Sequence, residues 1–284
     1  MKRQGNPDEF LFDDQVQLLI GSFPDPVYSF IAMTGYLTGI RNHEALAVPY
    51  CWEYDGHLFS SDPGYLEGEL RKCTADERKG VQITLSVFGK RKKYRLAAFP
   101  AEGWLALMKL WYPLYAKRKA LYKVHTGNDC PPWILWLTKD GTPLYCKPGD
   151  DSSHEKPLGM LGDAFDYVSN KRKKNRLKDV SGGSVKYYML RHTYATNFAV
   201  YWIKEMRKNY ETDILSDAAL QKALADNMGH EDFDTTLKHY IDNAAVILML
   251  GGTNEAPKRI FTLESMAEYL AKTKKLKQWK SKVV

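Results

Sequence analysis

The stretch MLRHTYATNFA (189–199) and, after a gap, NMGHEDFDTTLKHYID (227–242) decide how this 284-residue chain is read. From 189 onward Leu190, Tyr194, Phe198, Trp202 and Met206 recur at every fourth position, which predicts a helix with one packed row. Arg191 falls one position off that row, at its border. SDAALQKALADNMG (216–229) predicts a second helix, with Ser216 as N-cap, Leu220, Leu224 and Met228 as its buried row, and Gly229 as its stop. His230 then lies just past a helix end. A third helix starting near Asp234 puts Tyr240 about two turns in.

Outward from there, residues 10–22 and 26–49 also read as helical, the second segment being a helix or a helix pair broken at Gly35–Gly39 and stopped by Pro49. YCWEYDGHLFS (50–60) is a hairpin signal, with Asp55-Gly56 between aromatic arms. VQITLSVFGKRKKYRLAAF (81–99) alternates at Ile83, Leu85 and Val87 and again at Tyr94, Leu96 and Ala98, a second hairpin whose tip is Gly89–Lys93. Residues 102–122 and 156–172 return to helical spacing, and 124–155 reads as loop-rich. The fold expected is α+β, mainly α, with a small antiparallel β-sheet at one edge.

The chain carries 41 Lys+Arg against 34 Asp+Glu, a formal charge of +7, which favours a polyanionic partner. The excess is concentrated in GKRKKYR (89–95), KRKALYK (117–123), KRKKNRLK (171–178) and KTKKLKQWKSK (272–282). Cys51, Cys73, Cys130 and Cys146 form no CxxC pair and have no histidines at zinc-ligand spacing, so they read as structural thiols and no metal is expected. No segment approaches the ~20 apolar residues of a membrane span, and the N-terminus lacks an apolar signal-peptide core. A soluble, cytoplasmic protein with no membrane partner is expected.

Four short boxes, in order, resemble the tyrosine recombinases, the phage-integrase family. TGYLTGIRNHEALAV is similar to the first arginine box, giving Arg41 and Glu44. FGKRKKYRLAAFP is similar to the hairpin that carries the family's lysine after a glycine, giving Lys90. MLRHTYAT resembles the second arginine box, giving Arg191, and MGHEDFDTTLKHY resembles the stretch from glycine-histidine to the nucleophilic tyrosine, giving His230 and Tyr240. The boxes span residues 34–242. The resemblance implies a tyrosine-recombinase-like catalytic domain over 10–260, preceded by a tail at 1–9 and followed by a basic helical tail at 261–284. Family members generally carry an N-terminal clamp domain, and only 40 residues precede Arg41, so the chain is expected to be a catalytic-domain fragment or, as the alternative, a member that works without the clamp.

The implied chemistry explains the residue types. A tyrosine hydroxyl attacking a phosphodiester builds extra negative charge on phosphorus, and two permanently charged guanidiniums, Arg41 and Arg191, would stabilise it. Lys90 on a hairpin tip would protonate the leaving 5′ oxygen. His230 would donate a hydrogen bond to a phosphate oxygen, and Tyr240 would hold the 3′ phosphate covalently until rejoining. Neither metal nor other cofactor is called for, and the chain has no Walker motif.

Two features depart from the family pattern. Tyr188 stands where the family commonly has histidine, three residues before the second arginine; a phenol is a weak base, so Tyr188 is expected to bind the phosphate or orient the nucleophile. Residues 61–80 lengthen the interval from Arg41 to Lys90, so Lys92 or Lys93 is an alternative acid. Arg91, Lys92 and Lys93 on the hairpin, with Lys171, Arg172, Lys173 and Lys174, are the expected DNA contacts. His192 and His239 read as structural, and His43, His57, His125 and His154 form no evident constellation.

The expected function is cutting and rejoining of double-stranded DNA for integration, excision or transposition of a mobile element, by a chain monomeric in solution and tetrameric on paired sites. The alternatives are a type IB-like topoisomerase and a DNA-binding protein of this fold that has lost cleavage. Seen alone, an arginine beside a buried row is more often a salt-bridged surface residue, and a single tyrosine more often a packed aromatic. The joint occurrence of the boxes favours the catalytic reading.

Overall fold

The structure is a computed structural model that describes residues 10–11, 13–54, 56–88, 94–148, 150–174 and 185–209, and position 222. It is mainly helical, with two small hairpins, in agreement with the α+β expectation. In chain order the elements are α1 (Asp13–Ile20), α2 (Pro26–Thr38), α3 (Asn42–Leu46), β1 (Cys51–Tyr54), β2 (His57–Ser60), α4 (Pro63–Arg71), α5 (Ala75–Gly80), β3 (Gln82–Phe88), β4 (Tyr94–Pro100), α6 (Ala101–Thr126), α7 (Glu155–Lys174) and α8 (Tyr187–Asn209).

Local chemistry sets the ends. Asp25 caps α2, accepting from the Val27 amide, and Pro26 fills the first turn, where no amide partner is needed. The same Asp-Pro start recurs at α4, where Asp62 accepts from Gly64 and Tyr65. Helix α2 stops at Gly39, whose φ of 65° is left-handed and whose amide returns to the Gly35 carbonyl. The break therefore lies at Gly39, while Gly35 stays inside the helix. Thr74 and Glu77 make a reciprocal capping box at α5. Residues 61–80, noted in the sequence only as extra length, are thus two capped helices.

The expected sheet is two separate two-stranded ones, β1–β2 and β3–β4. The second pairs Gln82 with Pro100 through to Phe88 with Tyr94, the two arms that the alternation predicts; the expected tip at 89–93 lies outside the described residues.

The core is built on α2, buried on almost every side, and on three tryptophans, Trp104, Trp111 and Trp136, all fully buried. Trp136 lies in the stretch expected to be loop. That stretch is irregular but threads the interior, with Ile134, Leu135, Trp136 and Leu137 buried. Its carbonyls are satisfied by α6 side chains: Trp111 Nε1 donates to Leu135, Tyr115 Oη to Ile134 and Arg118 to Leu137. Those bonds let an irregular backbone sit where water cannot reach it.

Helix α8 crosses α2 closely. Its buried face runs through Met189, Thr193, Thr196 and Val200, together with Leu190, Ala195 and Ala199, whereas Tyr194 and Phe198 are only half-buried. The expected row, one residue in every four, was drawn through the large residues; the small ones face the core because they let two backbones approach. The two helices meet closely at Gly35. A Cβ there would come within 2.2 Å of the Tyr187 phenol oxygen, so the ring fills the space a side chain would need.

Candidate functional site

Arg41 follows the left-handed Gly39 by two residues and stands at the N-cap of α3. Its backbone amide donates to Glu44 Oε2 at 2.6 Å and its Nη1 to Glu44 Oε1 at 3.1 Å. Glu44 is fully buried, so one carboxylate fixes both ends of the arginine. The Arg41 side chain stays about one-quarter open, at 23%. The sequence spacing Arg-x-x-Glu is this N-terminal device, which folds the arginine back onto Glu44.

Arg191 reaches the same place from α8. It is buried at 8% exposure, and its Nη1 donates to the Gly39 carbonyl at 2.5 Å. The carbonyl belongs to the turn that carries Arg41, so the two arginines are tied through one turn. Arg191 was expected at the border of the packed face; the small residues beside it draw it into the interior.

Both arginines line one cavity of about 600 Å³ with Tyr188, His192 and Lys186 from α8 and its approach, and with α7, which supplies Phe165 and Asp166. Ser169 of α7 locks that approach in place, accepting from the Val185 amide at 2.9 Å and donating to the Phe165 carbonyl. Tyr188 is 45% exposed and meets His192, one turn on, edge to face at 5.5 Å. Next to it Tyr187 is buried, and its phenol makes no hydrogen bond among the described residues. Burial, with the Glu44 charge adding to it and Arg191 opposing, pushes the Tyr187 hydroxyl far above its ordinary value.

Of the expected site residues, the structure therefore brings together Arg41, Tyr188 and Arg191. Lys90, Arg91, Lys92, Lys93, His230 and Tyr240 lie outside the described residues, as do the expected helices from 216 and 234 and the tail at 261–284. Lys171, Arg172, Lys173 and Lys174 form the last turn of α7, and only their backbone is described.

Sequence reasoning missed Lys186 and Asp166 as cavity residues. Lys186 could have been found from its place just ahead of the helix that carries Arg191; Asp166 gave no signal, because α7 looks like an ordinary amphipathic helix. It also missed that His43 and His154 stack, with centroids 5.9 Å apart and planes within 16°. His43 sits on α3 two residues after Arg41, and His154 immediately precedes α7, so the pair joins two walls of the cavity. Burial lowers the His43 pKa; Glu44 opposes that shift, and Arg41 and His154 add to it.

No protein-family model matches the chain, and no curated protein matches it. Among the described residues no group of three or more His, Cys, Asp or Glu could hold a metal, and no helix is long and apolar enough to cross a membrane. Chemically the cavity joins two guanidiniums, one nearly buried and one partly open, held by hydrogen bonds to neighbouring backbone or carboxylate, a pairing suited to an anion.

Proposed function

We propose that this chain is a tyrosine-recombinase-type catalytic domain that cuts and rejoins duplex DNA through a 3′-phosphotyrosyl intermediate on Tyr240. The observation that carries this reading is that Arg41, Tyr188 and Arg191, from opposite ends of the described sequence, line one cavity. An arrangement fixed before substrate arrives is what stabilises charge as it develops on phosphorus, because no reorganisation is then needed. Arg41 and Arg191 take the non-bridging oxygens. Tyr188, exposed on the same wall, donates to a phosphate oxygen or holds the attacking phenol in line. His230 adds a further hydrogen bond, and Lys90, with Lys92 or Lys93 as the alternatives, protonates the leaving 5′ oxygen. Basic side chains at 91–93 and 171–174 hold flanking phosphates. The biological setting is integration, excision or transposition of a mobile element by a tetramer on paired sites.

A duplex carrying a nick just past the cleavage position tests this. The short fragment is lost after cleavage, so a covalent protein–DNA adduct accumulates; it is expected with the parent chain and absent with Tyr240→Phe. Tight binding with no adduct supports the reading in which cleavage has been lost, for which the phenol at 188 in place of an imidazole is the specific observation. Relaxation of supercoils at one enzyme per plasmid, without strand exchange between two marked sites, supports the topoisomerase reading.

A further inference from the structure

Lys186 is exposed and lines the cavity beside Arg41 and Arg191, yet it makes no ion pair among the described residues. It immediately precedes α8, a helix of 23 residues with no acidic side chain in its first turn. A cation at that end faces the positive pole of the helix and is disfavoured there unless an anion arrives. Its backbone is fixed, since its amide donates to Met189 Sδ at 3.4 Å, so the side chain leaves the helix from a set position. The acid in the cavity, Asp166, stands on α7, which leaves the wall formed by α3 and the start of α8 as the cationic one.

We propose that Lys186 is a third cation of this site and holds the DNA phosphate adjacent to the one held by the two arginines. This rests on the DNA-cleaving reading above and deepens it: the backbone runs along the α3–α8 wall and away from Asp166. A lysine suits such a contact because its ammonium acts as a mobile point charge, whereas the paired arginines must match a fixed oxygen geometry.

The test is duplex affinity of the full chain over a range of salt concentrations, for the parent, Lys186→Ala, Lys186→Arg and Lys139→Ala. Lys139 is exposed and does not line the cavity. One lost phosphate contact reduces the slope of log affinity against log salt by about 0.9 and weakens binding to all sequences alike. Lys186→Ala is expected to show that reduction, Lys186→Arg to keep the parent slope, and Lys139→Ala to change little. A parent slope in Lys186→Ala, or an equal loss in Lys139→Ala, overturns the assignment of Lys186 and leaves the cleavage reading standing. A parent chain that does not bind duplex DNA overturns both.

Discussion

Arg191 donates to the carbonyl oxygen of Gly39 at 2.5 Å, across 152 positions of sequence. Gly39 closes α2 in the left-handed conformation, and Arg41 follows two residues later. The turn that carries Arg41 therefore also anchors the Arg191 guanidinium. A side chain at 39 is strained in that conformation by about 1–2 kcal/mol. Gly39→Ala is expected to lose about that much stability in urea denaturation, and to lower single-turnover DNA cleavage further than Gly56→Ala. Gly56 is also left-handed, at φ 73°, but serves the β1–β2 turn.

The Gly35–Tyr187 contact makes opposite predictions for its two partners. Gly35→Ala forces a carbon against the phenol where two helices cross, and overpacking of this kind costs about 1–3 kcal/mol. Tyr187→Phe removes a buried hydroxyl that makes no hydrogen bond among the described residues, so it is expected to be neutral or stabilising. Thermal unfolding of both variants checks this; a large loss in Tyr187→Phe contradicts it.

A buried ion pair anchors the start of α2. Asp25 accepts from Arg118 Nη2 at 2.6 Å and from the amides of Val27 and Lys139, and both charged side chains are under a tenth exposed. Arg118→Met leaves the carboxylate buried without its cation, which costs about 3–5 kcal/mol. Asp25→Asn combined with Arg118→Met is expected to cost less than the two single changes together. Denaturation of the three variants measures the coupling.

The fold was legible where local chemistry speaks alone. Asp-Gly at 55–56 and the alternation either side of 89–93 gave both hairpins; the caps that start α4 and α5 stand in Asp62-Pro63 and in Thr74 with Glu77, although 61–80 was read only as extra length. The stretch around Trp136 was not legible as core, because its burial depends on Trp111, Tyr115 and Arg118 from a helix earlier in the chain. Nor was the inner face of α8, since Thr193 and Thr196 enter the core through their closeness to α2, which no periodicity records. Arg41 and Arg191 were legible as a pair only through the resemblance. The turn that ties them, and the cavity they share with Lys186, come from tertiary packing.

Protonation of His43 provides a pH test. Its folded-state pKa lies below the ordinary value, chiefly through burial, in a setting shared with Arg41, Glu44, His154 and Asp151. Between the folded value and the unfolded one of about 6.5 the unfolded chain binds a proton that the folded chain does not. Stability from this residue is thus complete above that upper value and is lost as pH falls through the lower one. Urea midpoints from pH 7.5 to 5 are expected to fall, and His43→Gln to flatten the dependence; an unchanged slope in that variant contradicts it.

The central claim is that Arg41 and Arg191 act on one phosphate, and a double-mutant cycle on the rate of covalent adduct formation tests it most directly. Removal of one such donor costs about 10²–10³ in rate. Arg41→Ala and Arg191→Ala, each shown to be folded, are expected to lose at least that much. The double variant is expected to lose far less than the product of the two, because groups that stabilise one transition state are not additive. A folded single variant that forms adduct at the parent rate, or strict multiplication of the two losses, contradicts the account.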